Sequence, residues 1–199
     1  MSTTSLFVEL LMIGAGAAIW VGLLIVAIFG TEWLPAVAAS KELALPLLLP
    51  ILSITYVLGI LVDRLADWFW DGKSDRLRAE RFPSREDYRH ARTLIYTEAE
   101  SLRDLYEYGR SRLRICRGWT LNAAFILITF VSFVLSTNGI VSLHQPLLWF
   151  GGAASALLGF WSWWAWCRLT RGEYTQLSQQ RDFLRATRDS RFDQGARKR

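Results

Sequence analysis

The sequence predicts an all-α membrane protein with four transmembrane helices, both termini in the cytoplasm, and helical cytoplasmic segments after the second and fourth spans. Three observations predict this fold class. Charged residues make up 21% of the chain but almost avoid four long apolar stretches. Each stretch has about the 20 residues that a spanning helix needs. All but one of the 23 lysines and arginines fall in two of the segments outside these stretches.

The chain therefore divides into four segments. They are a first transmembrane hairpin, a cytoplasmic helical region, a second transmembrane hairpin, and a C-terminal cytoplasmic helix with a basic tail, at residues 1–62, 63–118, 119–167 and 168–199. The four spans are predicted at about 6–30, 43–62, 119–137 and 146–167. Only the first contains a charge, Glu9, and its apolar run is longer than the roughly 7–15 residues of a signal-peptide core. We expect it to be an uncleaved helix.

The distribution of basic residues sets the orientation. Thirteen lie in 63–118 and nine in 168–199, whereas the short loops 31–42 and 138–145 contain only Lys41. Because positive charge stays on the cytoplasmic side, both termini are predicted there. This topology also accounts for the basic pI, so the net charge of +5 does not indicate nucleic-acid binding.

The cytoplasmic segments are predicted to be helical. Ser84 is suited to cap a helix, with Asp87 three residues later as in a capping box. The following stretch, 85–117, has no proline, and its apolar residues recur at helical spacing into the third span. A further helix is predicted over about 169–188. The two helices would pack together or against neighbouring subunits.

Four aspartates follow the second span at intervals of four residues. They are Asp63, Asp67, Asp71 and Asp75. With Gly59, the first two resemble the second half of the motif of CDP-alcohol phosphatidyltransferases, in which carboxylates hold a divalent metal. The first half of that motif is missing. The alternatives are neutralisation by Arg64, Arg76 and Arg78, or a ring of carboxylates at a pore mouth, formed by Asp63 and Asp67.

The third span carries one polar stripe. Its members are Asn122, Thr129, Ser132 and Ser136. Polar residues in a span usually face protein or water, so the stripe predicts either hydrogen bonds between helices or a pore lining. A pore would require several copies around an axis. The small residues Gly14, Ala18 and Gly22 in the first span predict close helix packing.

Arginines cluster at the inner ends of the second hairpin. The residues that we predict to bind an anionic ligand are Arg110, Arg114, Arg117, Arg168 and Arg171. Arginine is suited to bidentate contacts with phosphate, and anionic lipid is the alternative partner. Few acids lie near in sequence, Glu107 and Glu173 among them, so we expect an anion to compensate these charges.

The chain contains no complete catalytic motif. No phosphate-binding loop, nucleophile elbow or zinc-protease signature occurs. The sequence therefore predicts no enzyme activity, no cofactor and no resident metal.

The layout of residues 84–188 resembles the SLATT domains, two-helix membrane effectors linked to bacterial nucleotide signalling. The matching features are the approach Arg110–Trp119, the turn at Asn138-Gly139 and the helix Arg168–Arg188. With four spans, the outline is also similar to the channel effectors of Hailong-type antiphage systems. This resemblance implies a small oligomeric channel that a nucleotide or oligonucleotide ligand gates and whose opening depolarises the cell.

Three functions remain open from the sequence. The first is this ligand-gated channel, a homo-oligomer for which we take four subunits as the working number. The second is a non-catalytic anchor that recruits a cytoplasmic signalling partner. The third is a metal-dependent phospholipid-synthesis enzyme built on the aspartate series.

Overall fold

The computed structural model describes residues 3–30, 32, 44–98, 100–136 and 141–197. Within these ranges the protein is helical and has no strand, so the predicted all-α fold class is confirmed. The helices are α1 (Thr3–Phe29), α2 (Ala44–Ala79), α3 (Arg85–Glu98), α4 (Glu100–Ser136) and α5 (Val141–Arg197). The predicted outer loop 31–42, apart from residue 32, and the predicted turn at 138–139 lie outside the described residues.

Three of the described helices, rather than the predicted four, are long and apolar enough to cross a membrane. The candidate spans are Leu6–Phe29, Pro46–Ala79 and Tyr108–Val134. The fourth predicted span, 146–167, lies within α5. It is long enough to cross a membrane, but its mean hydropathy is too low for it to be a candidate span. It is rich in glycine and tryptophan, and the indole N–H makes tryptophan a residue of membrane interfaces more than of the hydrocarbon core.

The helices are longer than the predicted segments. α2 continues past residue 62 to Ala79, so the whole aspartate series lies on one helix. α4 runs from Glu100 into the third span, as the sequence predicted for this stretch, and Gly118 does not interrupt it. α5 continues to Arg197, beyond the helix predicted over about 169–188 and into the predicted basic tail.

The chain divides into two compact units. Unit 1 consists of Met1–Phe69 and Arg114–Trp166, and unit 2 consists of Trp70–Leu113 and Cys167–Arg199. α2, α4 and α5 each contribute residues to both units.

Glycines bring the helices of unit 1 close together. A Cβ on Gly14 of α1 would overlap the carbonyl of Thr55, and a Cβ on Gly59 of α2 would overlap the carbonyl of Leu10. The backbones of α1 and α2 therefore touch at this crossing, in antiparallel order. A Cβ on Gly118 of α4 would lie 2.9 Å from the side chain of Ile13, which brings α4 against α1.

α5 packs along α4 within unit 1. Gly159 lies against Ala123, Gly152 against Leu127 and Gly151 against Phe130. The order of these pairs shows that the two helices are antiparallel. Large side chains on the other faces of α5 are exposed, and Trp149 and Phe150 have exposed fractions of 78% and 79%.

Unit 2 has an apolar core of its own. Its buried side chains are Leu77, Phe82, Ala91, Ile95, Tyr174 and Leu177. The rings of Phe82, Tyr88 and Tyr174 meet edge to face, and burial raises the pKa of the Tyr174 phenol.

The predicted cap of α3 is confirmed in unit 2. The Asp87 amide donates to Ser84 Oγ at 3.0 Å, and the Ser84 hydroxyl donates to the Asp87 carboxylate at 3.0 Å. α3 begins directly after Ser84, at Arg85.

Candidate functional site

Two carboxylates are buried at one end of unit 1. Glu9 of α1 and Asp63 of α2 have exposed fractions of 3% and 2%. Arg114 Nη1 of α4 donates to Glu9 Oε2 at 3.2 Å, and Arg117 Nη2 donates to Asp63 Oδ1 at 3.0 Å. Ionised carboxylates reach this degree of burial only when they are paired, and both here are paired with guanidinium groups.

The pairs form one connected group. Arg114 Nε lies 3.6 Å from Asp63 Oδ1, and Arg117 also forms an ion pair with Asp67. We call Glu9, Asp63, Asp67, Arg114 and Arg117 the charge cluster. It joins α1, α2 and α4, with three acidic and two basic side chains. Arg64, which is largely exposed, approaches the two aspartates at 3.8 and 3.5 Å.

Helical spacing places the cluster. Asp63 and Asp67 are four residues apart on α2, and Arg114 and Arg117 are three apart on α4, so each pair occupies one helix face. Gly59 lies one turn before Asp63, and the close crossing at Gly59 holds α2 against α1. Glu9 is thereby brought to the same end of unit 1 as Asp63.

Two of the predicted ligand-binding arginines, Arg114 and Arg117, form ion pairs with acids that lie far from them in the sequence. The sequence predicts that an anion compensates these charges, because few acids other than Glu107 and Glu173 lie near in sequence. Instead, Arg114 and Arg117 are neutralised from α1 and α2, which are distant in sequence. Glu9 is the residue in the sequence that indicates such a pairing. A lone charge in an otherwise apolar span requires an opposite charge at the same depth in the membrane.

The predicted pore-mouth aspartates belong to the charge cluster. Asp63 is enclosed, whereas the side chain of Asp67 is 44% exposed and paired on both sides, by Arg117 and Arg64. The predicted neutralisation of the series by nearby arginines holds for Asp75, which pairs with Arg78 at 2.8 Å and also with Arg85.

No group of three or more metal-binding side chains of the His, Cys, Asp and Glu types comes together within the described part of the chain. Three of the four aspartates in the series are paired with arginine. A metal at these carboxylates would have to displace guanidinium groups, so this arrangement gives the phosphatidyltransferase interpretation no support.

The predicted polar stripe separates into different environments. Asn122 is fully buried: its amide donates to the carbonyl of Ile13 at 2.8 Å and accepts from the indole of Trp20 at 3.2 Å. Asn122 therefore forms hydrogen bonds between helices, which is one of the two alternatives that the sequence predicts for the stripe. Thr129 is buried and bonds to its own helix, and Ser132 is exposed. Ser136 ends α4, and its side chain is outside the described ones.

The remaining predicted arginines lie in unit 2. Arg171 forms a 3.6 Å ion pair with Glu80, and Arg110 is exposed. Arg168 lines a cleft of about 390 Å³ between α4 and α5. On the α4 wall of the cleft, the guanidinium of Arg112 stacks on the ring of Tyr108, with its carbon 5.7 Å from the ring centroid. Arg112 belongs to the predicted arginine cluster before the third span, but it is not one of the five arginines predicted above to bind the ligand.

Comparison with known proteins gives no assignment. No protein-family model, no curated protein and no solved structure matches this chain.

Proposed function

We propose that this protein is a homo-oligomeric ion channel of the bacterial inner membrane and that its cytoplasmic helices control its opening. The observation that carries the proposal is the charge cluster. Ionisable side chains buried in membrane helices are rare, and they usually mark an ion path, a gate or a sensor. This cluster ties α4 to both helices of the first hairpin, so a movement of α4 that opens a pore has to rearrange it.

The topology that we propose keeps four spans and both termini in the cytoplasm. α5 supports the fourth span because its glycines follow α4 from Ala123 to Phe130, inside a candidate span. A helix that packs along a span and exposes Trp149 and Phe150 is best accommodated in the same bilayer. The positive-inside rule then places 63–118 and 168–199 in the cytoplasm.

An oligomer is supported by the outer surfaces of the spans. Little of the most apolar part of each candidate span is buried. The buried share is 22% in Leu6–Phe29, 17% in Pro46–Ala79 and 28% in Tyr108–Val134. These surfaces are available to lipid and to neighbouring copies, and four copies remain our working number. Ser132 is the exposed member of the polar stripe and the residue that we assign to the pore, with Ser136 one turn further along α4. Asn122 is enclosed within one chain, so we assign it to packing.

The control signal is proposed from the resemblance to SLATT-type and Hailong-type effectors. Such a channel would respond to a nucleotide or oligonucleotide ligand during antiphage defence and depolarise the cell. α4 and α5 support control through unit 2, because each is a continuous helix with residues in both units. Anionic lipid would bind the exposed arginines, Arg110 among them.

The direct test is conductance of the purified protein in planar bilayers. We would introduce Ser132→Cys, and Ile54→Cys as the matched control, into a chain whose native cysteines are replaced by alanine. Both positions are exposed in the single chain. We expect unitary current steps, and we expect a charged thiol reagent to reduce them only in the Ser132→Cys channel. Absence of any current would contradict the channel, and equal insensitivity of the two variants would contradict the assignment of Ser132 to the pore.

A non-catalytic anchor is the second candidate, and the separate core of unit 2 favours it. Phe82, Tyr88 and Tyr174 all belong to unit 2, and their rings meet edge to face. A folded helical unit of this kind can recruit a cytoplasmic signalling partner. Co-purification of such a partner with a protein that conducts no ions would favour the anchor over the channel.

A further inference from the structure

We infer that the cleft between α4 and α5 in unit 2 binds a small phosphate-bearing ligand. The cleft is lined on the α4 side by Tyr108 and Arg112 and on the α5 side by Arg168, Gln176 and Gln180. This inference rests on the proposed function and deepens it, because it places the binding site on the controlling helices and limits the ligand to a small phosphate-bearing molecule. Its test is a binding measurement, so it can fail or succeed independently of conductance.

The side chains of the cleft are suited to a phosphate group. A guanidinium presents its N–H donors in a planar fork that matches two phosphate oxygens. Arg112 is held by its stacking on Tyr108, so less of its rotamer freedom is lost when an anion binds. Arg168 lines the cleft from the other helix, and the two glutamines, four residues apart on α5, add amide donors on one helix face.

The size and charge of the cleft limit the ligand. About 390 Å³ is near the lower end of ordinary small-molecule sites, so a phosphate monoester or a single headgroup fits better than a polymer. Among the described residues that line the cleft, two carry a guanidinium group, Arg112 and Arg168, and one carries a carboxylate, Glu173. The negative charge of Glu173 weakens the attraction for an anion. Removal of the Arg112 charge should therefore weaken anion binding, and removal of the Glu173 charge should strengthen it.

The phosphate group could belong to a soluble compound or to a lipid headgroup. Binding of soluble compounds is tested with the full-length protein in detergent. Calorimetric titration with inorganic phosphate and with adenosine monophosphate would be compared for the wild type, Arg112→Ala, Glu173→Gln and the control Arg89→Ala. Arg89 is exposed on α3 and is not among the residues that line the cleft. We expect Arg112→Ala to weaken binding about tenfold or more, as loss of a charged hydrogen bond does. Arg89→Ala should have little effect.

Glu173→Gln should tighten binding, and a gain of affinity cannot arise from misfolding. The lipid source is tested by measuring phosphatidylglycerol and phosphatidylcholine that remain bound in mixed nanodiscs. If the ligand is a headgroup, phosphatidylglycerol is retained by the wild type, lost from Arg112→Ala and enriched in Glu173→Gln. Either source supports the inference. Failure to bind phosphate in any of these forms, or binding that is insensitive to both Arg112 and Glu173, would overturn it.

Discussion

At the scale of single residues, polar groups hold the apolar helices of unit 1 in register. The Asn122 amide reaches α1 twice, through the Ile13 carbonyl and the Trp20 indole. Side-chain hydrogen bonds of this kind are the main directional contacts available between helices in lipid, where apolar surface gives little preference for one partner over another. Asn122 therefore specifies where α4 lies along α1.

Replacement of Asn122 should separate packing from pore lining. We expect Asn122→Ala to lower the free energy of unfolding by about 1–2 kcal/mol, because two hydrogen bonds between helices are lost. Ser132→Ala should change it by less than about 0.5 kcal/mol, because Ser132 is exposed and bonds to the carbonyl of Ile128 on its own helix. Denaturation of each variant in mixed micelles measures both values. Equal losses for the two variants would contradict this assignment of roles.

Local signals were readable from the sequence, and pairings between distant residues were not. The Ser84 cap follows from two residues three apart, and the structure confirms it. The partners of Arg114 lie 105 and 51 positions earlier in the chain, at Glu9 and Asp63. Such pairs depend on how helices cross, which hydropathy and charge patterns do not specify.

At the scale of elements, one crossing brings α1 and α2 into backbone contact. Gly14 and Gly59 meet there, and neither position has space for a side chain. The sequence marked Gly14, Ala18 and Gly22 as one packing face. The structure divides that face, because a Cβ on Gly22 would meet nothing within 4 Å.

Alanine at Gly14 and alanine at Gly22 should have opposite effects on the stability of the protein. Gly14→Ala would push α1 away from the Thr55 carbonyl, and we expect it to destabilise the protein by about 1–3 kcal/mol, as overpacking does. Gly22→Ala should be neutral or slightly stabilising, because alanine is the better helix former. Thermal unfolding of the detergent-solubilised variants tests this. A larger loss at Gly22 than at Gly14 would refute the proposed crossing.

At the scale of the whole molecule, the all-helical fold was predictable and the number of spans was less so. Long uncharged stretches predict helices because lipid provides no partner for the backbone. The stretch 146–167 lies at the margin, since its tryptophans are suited to the interface and its glycines pack against α4. In the four-span topology that we propose, its place in the membrane depends on its neighbour more than on its own hydropathy.

Reporter fusions test the four-span topology. We expect fusions at Ser40 and Gln145 to report the periplasm and a fusion at Ser84 to report the cytoplasm, because the basic residues cluster on one side. The C-terminus provides the control for the fourth span: with four spans it is cytoplasmic, and with three it is periplasmic. An inside signal at Ser40, or a periplasmic C-terminus, would contradict the model.

We propose that the charge cluster holds the channel closed, and the resting current of the Asp63→Asn variant is the direct measurement of this role. The substitution keeps the size of the side chain and leaves Arg114 paired with Glu9 and Arg117 paired with Asp67, so the cluster is weakened without being removed. The matched control is Asp71→Asn, an exposed member of the same aspartate series on α2. With both variants shown to form wild-type oligomers by gel filtration, we expect Asp63→Asn to raise the resting open probability in planar bilayers and Asp71→Asn to leave it unchanged. An unaltered resting current in Asp63→Asn, or an equal rise in both variants, would contradict the account.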